Sequence, residues 1–242
     1  MKRLNKAALA LVTTGMLSSG VAQAALFDRG GGLIYDDLLN ITWLQDANYA
    51  KTSGYDTDGL MDWDAANSWA ANLSYGGYED WRLAANTPVG SNWNNTYSPA
   101  GTTDLGYNIT SANSELSYMY YVNLGLKGYW DTSGVYQSDF GVFGNGTVGG
   151  QKDVGLVKNL RSYVYWSGTA WASNTADYAW RFSTYYGSQG FDGHGYEFYA
   201  WAVRPGEVAA PIPEPETYAM LLAGLGLLGV VAKRRRRSFG AS

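Results

Sequence analysis

Residues 211–215 read Pro-Ile-Pro-Glu-Pro, and they limit how far a globular fold can run in this 242-residue chain. Each proline ring fixes φ and pushes the residue before it toward extended backbone, so the segment is a stiff, accessible peptide. Residues 218–232 follow without a charge and are rich in Leu, Gly and Val; then come Lys233, Arg234, Arg235, Arg236 and Arg237. At about 1.5 Å per residue, a helix of that length only just crosses a hydrocarbon core of about 30 Å. The basic cluster stays cytoplasmic by the positive-inside rule, which puts the bulk of the chain outside. The other end carries a second targeting element. Lys2, Arg3 and Lys6 precede an apolar stretch over 7–17, and Ala22-Gln23-Ala24 is a small-residue cleavage site. This predicts a signal peptide over 1–24, taken up by the Sec translocon and cut after Ala24 by signal peptidase. The expected organisation is therefore signal peptide 1–24, exported domain 25–207, Pro-rich linker 208–217, transmembrane helix 218–232 and basic cytoplasmic tail 233–242.

The order of triplet, short apolar helix and arginine cluster resembles the PEP-CTERM sorting signal of Gram-negative bacteria. The resemblance implies that an exosortase reads Pro213, Glu214 and Pro215 together with the helix and Arg234 to Arg237, and processes the chain near the triplet. It implies an inner-membrane-anchored precursor with its domain in the periplasm, delivered afterwards to the cell surface, outer membrane or extracellular space. An ordinary tail anchor needs the helix and charges but not the triplet. Gly224, Gly226 and Gly229 match the dinucleotide fingerprint G-x-G-x-x-G, but no strand precedes them and they lie inside the apolar run. There the glycines serve close helix approach rather than a nucleotide.

Between the tails, residues 25–212 hold nine Lys and Arg against 19 Asp and Glu, a net of −10 that the whole-chain value of −4 conceals. So acidic a domain argues against nucleic acid and against anionic polymers held by net charge. It suits neutral ligands and cations. Cysteine is absent, which excludes disulfide staples, thiol nucleophiles and thiolate metal sites in an exported protein. Stability must come from a core, and the ten Trp, 20 Tyr and 31 Gly favour loops and strands packed around large rings.

Hydrophobic spacing gives a hairpin from Leu33–Tyr35 and Ile41–Leu44, and a surface loop over 46–59. A helix is expected over Asp62–Leu73 with Asp62 as cap, and a second from Asn113 or Ser114 to Leu124, ended by Gly125. Residues 86–110 read as a long loop, and 128–150 as loops and short strands. Strands are expected at Tyr163–Ser167, Tyr178–Ser183 and Tyr199–Arg204, with turn-rich stretches at 168–177 and 187–195.

Two blocks carry a second resemblance. One joins Gly32-Leu-Ile-Tyr-Asp-Asp37 and Thr42-Trp-Leu-Gln-Asp46 to Gly76-Gly-Tyr-Glu-Asp-Trp-Arg-Leu83; the other joins Tyr165-Trp-Ser-Gly-Thr169, Ala179-Trp-Arg-Phe182 and Ala200-Trp-Ala-Val-Arg-Pro-Gly206. Together, over residues 27–206, they are similar to the Lcl C-terminal-like domain family. That resemblance implies an α+β, C-type-lectin-like fold of two helices with small irregular antiparallel sheets and long loops, here followed by the transmembrane helix. It also implies adhesion to polysaccharide and a biofilm role.

Candidate chemistry is sparse. His194 is the single histidine and sits in a turn-like Asp192-Gly-His-Gly-Tyr196 context, with no nucleophile elbow and no His-rich metal site. Asp56, Asp58 and Asp62 form the densest carboxylate cluster and suit a weak Ca²⁺ site through hard oxygen ligands, though solvated loop carboxylates and a helix cap explain them equally. Glu79, Asp80, Arg82, Arg181 and Arg204 flank Trp81, Trp180 and Trp201 and read chiefly as structural partners of those rings. Loop aromatics Trp93, Tyr97, Trp171, Tyr185 and Tyr186 are the candidates for stacking on a glycan. The expectation is a non-enzymatic exported protein, without a cofactor unless Ca²⁺, that contacts exopolysaccharide or other matrix components. The alternatives are a structural matrix protein without glycan affinity and a polysaccharide hydrolase using paired carboxylates.

Overall fold

The computed structural model describes residues 25–208 together with Leu222, Ala223 and Leu225. In chain order the elements are β1 (Leu26–Gly30), β2 (Leu33–Asp36), β3 (Ile41–Leu44), α1 (Tyr49–Thr52), β4 (Leu60–Met61), α2 (Trp63–Ala71) and β5 (Arg82–Leu83). There follow β6 (Tyr97–Ser98), β7 (Leu105–Tyr107), α3 (Glu115–Tyr118), β8 (Gln151–Val154), β9 (Val157–Arg161), β10 (Val164–Ala170), β11 (Tyr178–Ser183), β12 (Ser188–Gly193), β13 (Phe198–Tyr199) and β14 (Ala202–Pro205). The fold is α+β, mostly sheet with few and short helices.

The hairpin of β2 and β3 closes in the expected place, with Leu33 opposite Leu44. Both strands are buried, and β14 and β1 extend them to an antiparallel sheet in the order β1-β2-β3-β14-β5. The Asp62 carboxylate caps α2 by accepting from the Ala65 N–H at 2.7 Å, and Ala66, Trp69 and Ala70 face inward. The second expected helix departs from α geometry after one turn. Met119–Asn123 continues as a π-helical turn, and the next residue, Leu124, donates its N–H to the Met119 carbonyl at 2.9 Å. The widened turn lets the consecutive rings of Tyr120 and Tyr121 both reach Phe182, with centroids 5.2 and 6.4 Å away. Gly125, at φ +61°, ends it as the sequence predicts.

The sheets are larger and less uniform than expected. The second has seven strands in the order β4-β13-β10-β11-β12-β7-β6, and two of its pairings, β10 with β13 and β6 with β7, are parallel. The single strand expected at Tyr199–Arg204 is two strands in two sheets. Ala200 and Trp201 are buried at the crossing. The Trp201 indole N–H donates to the Leu44 carbonyl at 2.7 Å and its ring meets Trp43 at 4.6 Å, so one residue ties the sheets together. Trp166 makes a tie within the second sheet, donating from β10 to the Met61 carbonyl of β4 at 2.9 Å. A chain without cysteine thus joins its layers with indoles, whose rings bury apolar area while their N–H groups satisfy backbone carbonyls.

Two ion pairs fix the loops. The Arg82 guanidinium donates to both Glu115 oxygens at 2.7 and 2.8 Å, fastening β5 to α3. Arg204 does the same to Asp80 at 2.7 and 2.9 Å while lying 4.0 Å over the Tyr78 ring. Among the described residues no helix is long and apolar enough to cross a membrane. The span expected over 218–232 lies outside those residues except at Leu222, Ala223 and Leu225, which are helical. Ala24, Pro213, Glu214, Pro215 and Arg234 to Arg237 also lie outside the described residues.

Candidate functional site: a tyrosine-lined sheet face

Side chains alternate across a strand, so pairing register decides what shares a face. In β11, Ala179, Arg181 and Ser183 point to one side; the register places Asp192, Gly190 and Ser188 of β12 opposite them. Ser188 faces Tyr107 of β7, and the parallel pairing of Leu105 with Tyr97 brings β6 onto the same side. Trp180, Phe182 and Gln189 fall on the other side, toward Tyr120 and the core.

Three hollows lie along this face. One of about 320 Å³ is walled by Tyr163, Tyr185 and Tyr186, with Arg181 and Asp192 as its charged residues. The next, about 240 Å³, shares Arg181 and Ser188 with the first and is flanked by Tyr97 and Tyr107. A third, about 250 Å³, shares Tyr97 and ends on Pro99 and Trp130. The hollows form a continuous series because each shares a wall with the next.

The ion pair at the junction is held in place. Arg181 Nε donates to Asp192 Oδ2 at 2.8 Å, and Nη1 reaches the Ser188 carbonyl at 3.5 Å. Its guanidinium lies flat over Gly190, where an added Cβ would stand 2.9 Å from Cζ. The outer wall is fixed by packing: Tyr185 and Tyr186 meet at 4.1 Å, Phe140 stacks parallel to Tyr186 at 6.3 Å, and the Tyr129 N–H donates to the Tyr186 carbonyl at 2.7 Å. Burial pushes the Tyr107 hydroxyl up to about 12, with Tyr97 adding to the shift and the Ser188 hydroxyl opposing it. Burial also raises Tyr97, and it raises Tyr185 with help from neighbouring Tyr186. The face therefore offers uncharged hydroxyls, ring surfaces and one compensated ion pair.

Of the five loop aromatics, Tyr97, Tyr185 and Tyr186 reach this face, and Tyr97 and Tyr186 are 55 and 40 % exposed. Trp93 and Trp171 are not among the residues walling the three hollows. Trp93 stacks on buried Trp180 at 5.1 Å and Trp171 on Phe191 at 4.0 Å, so each spends a ring face on the protein itself. Tyr107, Tyr163 and Trp130 were not expected as members, and Arg181, weighed as the rim of a sugar site, was read chiefly as a structural partner of Trp180. Arg181 was legible as in phase with Ala179 and Ser183, but its partners sit in a glycine-containing stretch that reads as turn.

The carboxylate cluster is occupied by its own backbone. Asp56 Oδ1 accepts from the Asp58 and Gly59 N–H groups at 3.0 and 2.6 Å, Asp58 Oδ1 from Leu60 at 3.0 Å, and Asp62 caps α2. Among the described residues no three His, Asp or Glu side chains come together as metal ligands. His194 stacks on Trp63 at 4.2 Å, and its backbone N–H donates to the Asp177 carbonyl at 2.8 Å.

No curated protein and no solved structure matches the chain. The lectin-like resemblance of residues 27–206 has no counterpart there. Residues 211–237 match the model of the PEP-CTERM protein-sorting motif, which marks the chain for recognition by an exosortase and export to the cell surface.

Proposed function

We propose that this protein is a non-enzymatic component of the cell surface or extracellular matrix that binds polysaccharide along the tyrosine-lined sheet face. The signal peptide and sorting tail carry it through the Sec translocon, signal peptidase and exosortase to that location. The observation that carries the reading is the row of three linked hollows, walled by tyrosines from four separate segments of the chain. Sugar rings present apolar faces edged with hydroxyls, and neutral phenols answer both features: the ring packs and the hydroxyl bonds. The Lcl C-terminal-like resemblance supports the same ligand class. An acidic domain with one half-buried, already paired arginine at the site fits neutral chains better than sulfated ones.

The test is retention of the secreted domain on exopolysaccharide from producing cells. Replacing Tyr97, Tyr185 and Tyr186 together with alanine is expected to cut affinity at least tenfold, whereas replacing exposed Tyr55, remote from these hollows, leaves it unchanged. Equal binding by the triple variant overturns the reading. Absence of binding by the unaltered domain, with recovery of protein partners instead, favours a structural matrix protein.

A further inference from the structure

We infer that the Arg181–Asp192 pair, laid across Gly190, reads vicinal hydroxyls of a neutral sugar and selects uncharged glycan over anionic polymer. The selection depends on glycan binding at this face, but it has its own geometry. Arg181 and Asp192 are the charged side chains of the first hollow and Arg181 is that of the second, while Tyr97, Pro99, Trp130 and Gly134 line the third. The pair is half-exposed, with side chains 24 and 33 % accessible. It uses Nε and Oδ2 on each other at 2.8 Å. Arg181 Nη2 and Asp192 Oδ1 have no partner among the described residues, so the paired side chains keep one donor and one acceptor for a ligand. Vicinal hydroxyls on a pyranose stand about one hydrogen-bond length apart, and each both donates and accepts. One hydroxyl can accept from the guanidinium while its neighbour donates to the carboxylate, and both bonds are charge-assisted.

An anionic chain meets the opposite situation. The single cation is already compensated by Asp192, and a carboxylate or sulfate arriving at Arg181 must also approach that carboxylate within a domain of net charge −10. Gly190 makes the arrangement possible. An alanine there would put Cβ 2.9 Å from Cζ and 3.1 Å from both terminal nitrogens, so the guanidinium would have to lift. Ser188 and Ser183, both small, leave the floor on either side of the pair low.

The experiment uses the secreted domain and the exopolysaccharide of producing cells, separated on an anion exchanger into neutral and acidic fractions. The neutral fraction is tested before and after periodate oxidation and borohydride reduction, which cleave the carbon–carbon bond between vicinal hydroxyls. Binding is expected to the neutral fraction and to fall about tenfold or more after oxidation. A similar loss is expected for Asp192→Asn, Arg181→Lys and Gly190→Ala, since each removes or displaces a charge-assisted bond. Unfolding midpoints report whether each variant is folded. Gly190→Ala, which keeps both charged residues, separates lost geometry from lost charge. Preference for the acidic fraction, undiminished binding of the oxidised polymer, or unchanged affinity in the folded variants overturns the inference while leaving glycan binding intact. Failure to bind either fraction removes glycan binding itself.

Discussion

At the scale of single residues, the most instructive group is Asp36, which is fully buried at the end of β2. Its Oδ1 accepts from the Leu38 and Leu39 N–H groups at 3.2 and 3.0 Å, and its Oδ2 from Asn123 Nδ2 at 2.6 Å, joining the hairpin turn to the π-helical turn. Burial raises its pKa above the ordinary 3.8, against the pull of these three donors. A carboxyl raised on folding binds its proton more tightly in the folded state, so its contribution is fully present below the unfolded value and is lost as pH rises through the folded one. Asn123 Oδ1 is buried without a partner, so a flipped Asn123 amide would accept from an asparagine at position 36. Asp36→Asn can thus keep the network without a charge. Denaturant midpoints of the wild type, relative to those of Asp36→Asn, are expected to decline as pH rises above the ordinary 3.8. Asp36→Ala, which orphans three donors, should lose about 1–3 kcal/mol throughout. Identical pH slopes in wild type and Asp36→Asn would dispose of the argument.

Among the elements, legibility followed how local the determinants were. The β2–β3 hairpin, α2 with its Asp62 cap and β11 could be read because each rests on its own spacing and punctuation. β12 was hidden: Gly190 and Gly193 look like turn residues, yet Gly190 leaves room for the Arg181 guanidinium to lie across it. The same holds for Gly106, at φ +127°, whose backbone packs against the Ser98 carbonyl so that β6 can lie beside β7. The long-loop reading of 86–110 missed both strands because pairing across sequence, not local propensity, creates them. The crossing at Ala200–Trp201 was also hidden, since a continuous apolar run does not say which sheet each half will join. It makes a prediction about elements. Trp201→Ala should cost about 3–5 kcal/mol in denaturant unfolding by opening a cavity between the sheets. Trp201→Phe keeps part of the ring but loses the bond to the Leu44 carbonyl, so it should cost about 1–3 kcal/mol. Equal losses would mean that the hydrogen bond, not the packing, joins the layers.

For the whole molecule, the folded body and the targeting segments are separable. Val208 is buried in the core and Gly206 donates its N–H to the Asn40 carbonyl at 2.8 Å, so the body stays anchored up to Val208. Arg29 pairs with Glu207, tying the first strand to the segment that leaves β14. The sorting motif begins at residue 211, beyond the last anchored residue. Removal of the tail is therefore expected to leave the domain's stability where it was. The experiment expresses the full chain in a host with an exosortase, beside a variant with Pro213, Glu214 and Pro215 all changed to alanine, and weighs the released and membrane fractions. The expected wild-type product starts at Ala25, ends near Pro213 and melts at the temperature of the isolated 25–208 domain. The variant should keep its tail and stay with the membrane. An unprocessed chain in both strains would make the tail a plain anchor and confine the sheet face to ligands within the periplasm. A processed product that melts well below the precursor would instead mean that the tail packs on the domain, against the closure at Val208.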